Sequence, residues 1–491
     1  MRSLLKLLTL GLTAHAMLIG GSPYYSLSNR NIYALIEHQL LLSIDKNNIF
    51  VINQPYKNDQ IETLLTNNRV SYNHYSQHRY TATDKPDRLQ MRLTPSYNKY
   101  SDRSNSDSYA ALALDGSFQI SDVLFVNETD LDQKYKYDPD FHGDAGEWLM
   151  GYFQSSYALY MKNGLEIFGG RISRNLGTLN DYSLLLSSNP YSFDHYGFSA
   201  TGERLKYSFY TTRLNDLNAI DLQGETIPVD SVMSSRRFWA IQRLDFKINE
   251  RLQMAFSEAT IYGGPNQQFV AAYLNPVHFF YAAQRNQGVQ LNSFWQINLF
   301  CQLTKGAGLY LDLFADDLIV NNKPGVDDRA VHPDRFGLMV KGSYASAQNS
   351  LMSLRYVRIW NETYTSYRTF ENYTYFHKGI GYPENSFEGI KFSIDHFNRL
   401  PLFMHADVEV WRRGNRDLVS AFHDALNDFP VNPVRRGFTS NLSISYLWEG
   451  GYKLIIDANQ NYIPGNWNEG IESESNHEIL LTAEYYFKIT L

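Results

Sequence analysis

The sequence is nearly free of cysteine: Cys301 is the single one among 491 residues, so no disulfide can form within the chain. Long apolar runs are also lacking, because no stretch after residue 16 approaches the roughly 20 apolar residues that a membrane-spanning helix requires. With a mean hydropathy of −0.39, this excludes a bundle of membrane helices. Basic residues are fewer than acidic ones, and the net charge is −7. This argues against nucleic acid as a partner.

The first sixteen residues, MRSLLKLLTLGLTAHA, have the pattern of an export signal. Arg2 and Lys6 precede a short apolar stretch, and Ala14-His15-Ala16 is a small-residue cleavage site. A buried helix has a similar apolar content, but the order of charged and apolar residues favours a signal peptide over 1–16. No cysteine follows the apolar stretch, so a lipoprotein anchor is not expected. A lone cysteine also suits a protein that leaves the cytoplasm.

Residues 17–87 are predicted to form a small, partly helical segment. One helix is indicated by apolar residues at helical spacing after a capping Ser28 or Asn29, namely Ile32, Leu35, Ile36 and Leu40. A second short helix is expected after Pro55 and carries Ile61, Leu64 and Leu65. We expect this segment to be periplasmic.

From about Arg88 onward, strict alternation replaces the helical spacing and predicts strands. In GLYLDLFADD (Gly308–Asp317) the apolar face contains Leu309, Leu311 and Leu313, and the other face contains Asp312, with Phe314 as the exception. The preceding strand alternates in the same way, and its apolar face contains Trp295, Ile297, Leu299, Cys301 and Leu303. In later strands, the apolar faces contain Ile390, Phe392, Val408 and Val410. About eighteen such strands can be counted.

The connections between these strands alternate in length. Short turns are predicted at Asp115-Gly116, Lys162-Asn163-Gly164, Thr201-Gly202, Asn249-Glu250, Lys305-Gly306, Ala347-Gln348, Asn398-Arg399 and Gly450-Gly451. Long polar, aromatic-rich segments lie between them, at 127–147, 174–194, 214–235, 263–291, 318–332, 362–385, 414–436 and 462–475. This regularity is unexpected in a soluble sandwich and typical of outer-membrane barrels, which have short periplasmic turns and long extracellular loops.

The predicted fold class is therefore all-β: a closed antiparallel outer-membrane β-barrel of about 18 strands over residues 88–491. Closure removes unpaired strand edges, which are very costly in lipid. The leucines of GLYLDLF are expected to face lipid and Asp312 to face the lumen. The apolar last strand in HEILLTAEYYFKITL resembles the targeting signal of such barrels, although Leu491 replaces the usual terminal Phe.

The loop Asn361–Asn385 is the candidate ligand-binding site, because exposed clusters of aromatic residues are costly unless they pack or bind. Tyrosine offers a flat face for sugar C–H groups together with a hydroxyl, and the two cations suit an acidic sugar. The candidate residues are Tyr364, Tyr367, Arg368, Tyr373, Tyr375, Phe376, His377, Lys378 and Tyr382. A loop that folds into the barrel mouth as a plug explains the same composition, and the two interpretations are compatible.

No catalytic or cofactor-binding constellation is evident. GFSAT (Gly197–Thr201) is not a G-x-S-x-G elbow and lies in a strand–turn–strand setting, so we expect no enzyme activity and no cofactor. Carboxylates at a spacing that suits Ca²⁺ are Asp138, Asp140 and Asp144, with Asp316-Asp317 and Asp327-Asp328 as similar candidates. Acidic loops near lipopolysaccharide are usually only solvated, so no specific metal site is predicted.

Several stretches resemble the capsule-assembly (Wzi-like) outer-membrane family. They are GGRISRNLGTLNDYSLLLSSNPYSFD (Gly169–Asp194), YLNPVHFFYAAQRNQG (Tyr273–Gly288), LYLDLFADDL (Leu309–Leu318) and NYTYFHKGIGYPEN (Asn372–Asn385), with the leader NQPYKNDQIETLL. One departure is RNLGTLN, where relatives tend to carry a turn rich in tryptophan and glycine.

The resemblance implies an eighteen-stranded barrel that acts as a non-enzymatic lectin in the outer membrane of a Gram-negative-type bacterium. Its expected partners are extracellular capsular or exopolysaccharide, outer-membrane lipid and lipopolysaccharide. The alternative is a substrate-specific porin or transporter for sugars or other small solutes, since eighteen strands leave room for an aqueous channel.

Overall fold

The computed structural model describes residues 22–43, 49–67, 88–100, 106–136, 138, 140–143, 151–216, 235–275, 278–280, 291–317, 335–397, 402–420, 428–448, 452–464 and 474–490. The predicted signal peptide lies outside the described residues, as do the predicted turns at Asn398-Arg399 and Gly450-Gly451. Within the described residues, no helix is long and apolar enough to cross a membrane.

Two α-helices precede a long series of strands. The helices are α1 (Arg30–Leu42) and α2 (Asn58–Asn67). The strands are β1 (Arg88–Tyr100), β2 (Ser106–Ile120), β3 (Val123–Asp132), β4 (Gly151–Lys162), β5 (Leu165–Arg171), β6 (Asp194–Thr201), β7 (Leu205–Arg213), β8 (Ser235–Lys247), β9 (Leu252–Pro265), β10 (Leu291–Thr304), β11 (Ala307–Asp317), β12 (Arg335–Ser346), β13 (Ser350–Ile359), β14 (Thr374–Tyr375), β15 (Lys378–Gly379), β16 (Phe387–Phe397), β17 (Leu402–Arg413), β18 (Arg435–Leu447), β19 (Tyr452–Ile463) and β20 (Glu474–Thr490). Short 3₁₀ turns occur at Gln133–Lys136, Ala271–Leu274 and Thr369–Glu371.

The strands form one closed antiparallel barrel. In the described part of the chain, eighteen strands belong to a single sheet, and β14 and β15 form a separate two-stranded ribbon. Each barrel strand pairs with its neighbours in order, and β20 pairs with β1 from Arg88↔Thr490 to Tyr100↔Glu478. Every strand of the ring therefore has two partners, which is the arrangement that a lipid environment requires. The predicted fold class is confirmed.

The barrel has a turn end and a loop end. The turn end carries the short connections, which in such barrels face the periplasm, and the loop end carries the long ones. Five predicted turns are confirmed: those at Lys162–Gly164, Thr201-Gly202, Asn249-Glu250, Lys305-Gly306 and Ala347-Gln348 each lie between consecutive strands.

The turn predicted at Asp115-Gly116 is wrong. Both residues lie inside β2 and pair with Glu128 and Asn127 of β3, and the actual turn follows at Ser121, whose φ is 55°. Pairing with β3 keeps these two residues in the strand, although Asp-Gly by itself favours a turn. For the same reason, 127–132 belongs to β3 rather than to a long segment. The loop-end connection between β1 and β2 spans only 101–105, so the alternation of lengths is not strict.

The two faces of the sheet follow the predicted alternation. On β11, Leu313 is exposed on the outside, whereas Asp312 and Phe314 are buried inside. The outward residues predicted to face lipid on β16 and β17 are also exposed, and Val410 reaches 62 % exposure. Polar inward positions opposite apolar outward positions are the pattern of a membrane barrel with a polar lumen.

The helices lie inside the turn end of the barrel. Helix α1 begins where the Asn29 side chain accepts a hydrogen bond from the Ile32 amide at 3.2 Å, as the sequence indicated. Its apolar side packs with α2 and with inward residues of the wall, including Phe300 and Tyr310. At its end, the Leu41 carbonyl accepts from the Gly306 amide at 2.8 Å, in the turn between β10 and β11. The described part of 17–87 thus shares its core with the barrel.

Two loops enter the lumen from the other end. The segment 172–193 reaches the N-terminal residues inside the barrel, where Asn175 forms an antiparallel bridge with Gln54, just before α2. The loop between β13 and β16 packs on this segment: the Ser187 amide donates to the Ile380 carbonyl at 3.0 Å. Gly381 is required at this contact, because a Cβ there would lie 2.2 Å from the Leu184 carbonyl oxygen. The lumen is thus occupied from both ends.

Candidate functional site: a cationic cleft at the loop end

The predicted ligand-binding loop folds into the barrel mouth, and three of its tyrosines are buried there. Tyr364 donates from its hydroxyl to the Leu184 carbonyl at 2.6 Å, and its amide donates to Asp316 at 2.6 Å. Tyr373 accepts a hydrogen bond from the Trp239 indole at 3.1 Å. Tyr382 is likewise buried, against Phe387. In this structure Tyr364 and Tyr373 hold the plug in place, as the plug interpretation of the loop anticipated.

The other candidates in this loop retain accessible surface. His377 is exposed, and the partly exposed side chains are Tyr367, Arg368, Tyr375, Phe376 and Lys378. Phe376 stacks on His142 with ring centroids 3.8 Å apart. Arg368 pairs with Glu371 at 3.2 Å, so its charge is already partly neutralised.

The carboxylates considered for Ca²⁺ have protein partners. Asp138 accepts from the Tyr191 hydroxyl and from the Asp140 amide, and Asp140 pairs with Lys378 at 3.1 Å. Asp316 accepts from Asn292 at 2.9 Å. Asp144 and Asp327-Asp328 lie outside the described residues. Among the residues that are described, no group of three or more His, Cys, Asp or Glu is placed to hold a metal ion.

A cavity of about 680 Å³ opens between the inward loops and the inner wall formed by β13 and by β16 to β19. We call it the cationic cleft. Five of its lining residues are Arg or Lys and two are Glu: Arg355, Lys391, Arg413, Arg416 and Arg435, with Glu384 and Glu409. Tyr182, Tyr382 and Trp411 supply aromatic surface. Its size is within the range of ligand-binding pockets.

Ion pairs hold the cations at the bottom of the cleft. Arg355 binds Asp181 at 2.5 Å and also pairs with Glu409, and Lys391 binds Asp181 at 3.3 Å. Burial disfavours the ionised form of Asp181, but the charges of Arg355 and Lys391 outweigh it and hold the pKa of this carboxyl well below its ordinary value. Asp181 therefore stays ionised and fixes both cations in place.

The cations nearer the loop end are more accessible. Arg413 pairs with Glu384 at 2.9 Å and keeps 40 % of its side chain exposed, and Arg435 is exposed. Tyr182 is 38 % exposed, and its ring meets Tyr382 edge-on with centroids 6.3 Å apart. Exposed guanidinium groups beside aromatic faces can bind a carboxylate and stack on a sugar ring at once.

Sequence reasoning found only one member of this cleft, Tyr382. The other lining residues come from inward positions of strands, such as Lys391 and Glu409, and from loops, such as Tyr182 and Glu384. Alternation accounts for the strand residues without a ligand. One local signal was present: WRRGNR (Trp411–Arg416) places an aromatic residue and three arginines where β17 meets the loop end. Of these arginines, Arg413 and Arg416 line the cleft, whereas Arg412 pairs with Glu388.

A membrane-type barrel with a filled lumen and a charged cleft at its loop end is thus the class of protein that the structure defines. No protein-family profile and no curated protein sequence matches this chain. Among solved structures, the chain is similar to Wzi of Escherichia coli, described as an outer-membrane protein involved in group 1 capsule assembly and as a carbohydrate-binding β-barrel. The two chains are 10 % identical, with a TM-score of 0.60, over 96 % of this chain and all of the other.

Two further solved structures are similar at lower scores. OccD3 (OpdP) of Pseudomonas aeruginosa is 11 % identical over 82 % of this chain and 91 % of its own, with a TM-score of 0.48. OccAB4 of Acinetobacter baumannii is 10 % identical over 82 % and 98 %, with a TM-score of 0.47. At such low sequence identities, these comparisons show similarity of fold alone. As a similarity of fold, the predicted resemblance to the Wzi-like barrels is confirmed.

Proposed function

We propose that this protein is a non-enzymatic, lectin-like outer-membrane barrel that retains an acidic capsular or exopolysaccharide at the cell surface. The observation that carries the proposal is the cationic cleft: an excess of cationic over acidic lining residues, beside Trp411 and Tyr182, at the end of the barrel that faces outward in this fold class. A polymer presents its charged units repeatedly, so modest affinity at one cleft is raised by multivalency.

The filled lumen supports retention over transport. Glu37 of α1 binds Lys341 of the barrel wall at 3.0 Å, and both side chains are almost fully buried. Toward the turn end of β8, Asn53 donates to Asp245 at 2.7 Å and Arg243 donates to the Ile52 carbonyl at 2.9 Å. A large steady conductance would require these buried polar contacts to break, which is costly for charged groups.

The fold is consistent with this proposal, since Wzi is described as a carbohydrate-binding barrel of capsule assembly. The contacts of this chain refine the sequence hypothesis. Among the loop candidates, Tyr364 and Tyr373 serve the plug in this structure, whereas Tyr382 lines the cleft beside Arg413 and Trp411. We therefore direct the test at the cleft rather than at the buried tyrosines.

The test compares two triple variants of matched composition. The cleft variant carries Trp411→Ala, Arg413→Ala and Arg435→Ala. The control carries Trp448→Ala, Arg204→Ala and Arg251→Ala, three exposed residues at the turn end. Heat-modifiability on gels confirms that both barrels fold. Binding of the purified proteins to alginate and hyaluronate oligosaccharides is then measured by calorimetry.

We expect the cleft variant to bind at least about tenfold more weakly, equivalent to about 1.4 kcal/mol, and the control to match the parent. In cells, the cleft variant should shed surface polysaccharide into the medium. Equal binding by the cleft variant and the parent would contradict the proposal. A large, steady single-channel conductance of the parent in planar bilayers would support the porin alternative instead.

A further inference from the structure

A second cavity, of about 350 Å³, lies in a different part of the lumen. It is enclosed by residues of β3 and β4, by the inward segment 172–193, and by residues 22–28, which precede α1. It shares no lining residue with the cationic cleft. We call it the serine–tyrosine cavity.

Its lining is rich in hydroxyl groups and poor in charge. Among its described lining residues, seven are serines and five are tyrosines, whereas only Glu128 and Lys378 are charged. The one cation is already engaged, because Lys378 pairs with Asp140 at 3.1 Å. An anionic ligand would therefore find no available cation here and would meet the carboxylate of Glu128.

Three of the serine side chains are left without a partner. Tyr152 and Ser192 hydrogen-bond each other at 2.6 Å, but Ser155, Ser173 and Ser188 form no side-chain hydrogen bond with another residue that the structure describes. Ser155 is nevertheless 6 % exposed. Ser173 and Ser188 are half-buried. A ligand with hydroxyls of its own can supply a hydrogen-bond partner to each of the three serines.

The tyrosines supply flat apolar surface beside these hydroxyls. Tyr135, Tyr152 and Tyr191 form one cluster, with ring centroids of Tyr152 and Tyr191 4.9 Å apart and of Tyr135 and Tyr152 5.7 Å apart. Tyrosine combines an apolar ring with a hydroxyl that donates and accepts. A sugar ring has the complementary surface: C–H groups on its faces and hydroxyls around its edge.

We infer that the serine–tyrosine cavity is a second carbohydrate subsite, one that takes an uncharged sugar unit. The inference rests on the proposed function, since a neutral unit of the same polymer, or a neutral side branch, is the ligand that a polysaccharide-binding barrel would present to it. The cationic cleft then selects for charge and the serine–tyrosine cavity for hydroxyl pattern.

The test uses the purified full-length protein in detergent and calorimetry with defined probes. The neutral probes are oligosaccharides of dextran, mannan and cellulose, and the acidic probe is an alginate oligosaccharide. One variant, Ser188→Trp, fills the cavity, and Ser188→Ala is its control for size. A second variant, Ser155→Ala with Ser173→Ala, removes hydroxyls without adding bulk. This variant tests the cavity even if the tryptophan impairs folding.

We expect at least one neutral probe to bind the parent and to bind both Ser188→Trp and the double alanine variant about tenfold or more weakly. Binding of the alginate probe should change less than about twofold. The inference is wrong if no neutral probe binds the parent, or if the neutral probe binds the parent, Ser188→Trp and the double variant equally. If the parent binds the alginate probe but no neutral probe, this inference alone is overturned. If the parent binds neither kind of probe, the proposed function is overturned as well.

Discussion

Asp312, on the inner face of β11, accepts a hydrogen bond from the backbone amide of Leu184 at 3.0 Å. The same carboxylate accepts from Ser183 at 3.3 Å and from Gln296 at 2.8 Å. The alternation of β11 predicts only that Asp312 faces the lumen. The structure shows that Asp312 also anchors the loop that fills the lumen. Leu184 lies in the apolar centre of this plug, with Trp239 and Tyr364.

Asp312→Ala should loosen the plug without unfolding the barrel. Hydrogen bonds to a charged group contribute about 1.5–3 kcal/mol each, and the variant leaves the Leu184 amide without its acceptor. We expect faster hydrogen exchange at Leu184 and its neighbours, measured by mass spectrometry, with unchanged heat-modifiability. Asp312→Asn keeps one acceptor oxygen and should exchange at an intermediate rate. Identical exchange in all three proteins would show that Asp312 does not anchor the loop.

Leu311→Arg should destabilise the barrel by about 2–4 kcal/mol, the loss expected for an arginine on the lipid face at the bilayer midplane, because Leu311 faces outward near the middle of β11. Refolding into lipid vesicles over a urea series measures this loss. The matched change is Asn459→Arg on β19, where the side chain faces inward and is partly exposed. We expect a much smaller loss there. Equal losses at the two sites would contradict the assignment of the faces.

Lys341→Ala should release α1 from the wall. The change leaves Glu37 buried without its cation, at a cost of about 3–5 kcal/mol, although Ser343 still donates to Glu37 at 2.7 Å. We expect flickering conductance in planar bilayers and faster proteolysis within α1. Adding Glu37→Gln removes the buried charge and should reverse much of this effect. A variant as closed and protease-resistant as the parent would show that the pair does not hold the plug.

Binding of an acidic polysaccharide should weaken as the pH rises from about 6 to about 8. Burial raises the pKa of Glu384 to about 7, although the charge of Arg413 opposes the rise. Glu384 is thus mostly protonated at the lower pH. Its ionisation then adds negative charge beside Arg413, in a cleft that also contains Glu409, Arg416 and Arg435.

Calorimetry with an alginate oligosaccharide at several pH values measures this effect. Glu384→Gln should bind at the higher pH about as well as the parent binds at the lower pH, and a parent affinity that does not vary with pH would refute the role of Glu384. The same pKa has a consequence for stability. Because the folded state keeps the proton that the unfolded chain releases near 4.5, the contribution of Glu384 to stability falls as the pH rises from about 4.5 to about 7.

The barrel could be predicted from the sequence because its signals are local and repeated. Alternation with a period of two assigns each residue of a strand to one of two faces, as for Leu311 and Asp312. Spacing and capping likewise indicated α1, and Asn29 does cap it. Local preference failed where pairing was stronger, at Asp115-Gly116 inside β2.

The site depended on contacts between residues far apart in the chain, and no local pattern specifies those. Composition identified Tyr364, Tyr373 and Tyr382 as a group but could not separate the two that bind Leu184 and Trp239 from the one that lines the cleft. The pairing of Arg355 with Asp181 joins residues 174 positions apart. The sequence by itself determined the strands and their faces, because each follows from neighbours along the chain, and closure of the sheet followed from the high cost of unpaired strand edges in lipid. Only the tertiary structure decided what fills the lumen and where the charges meet, because packing inside a closed barrel brings together loops that the sequence separates.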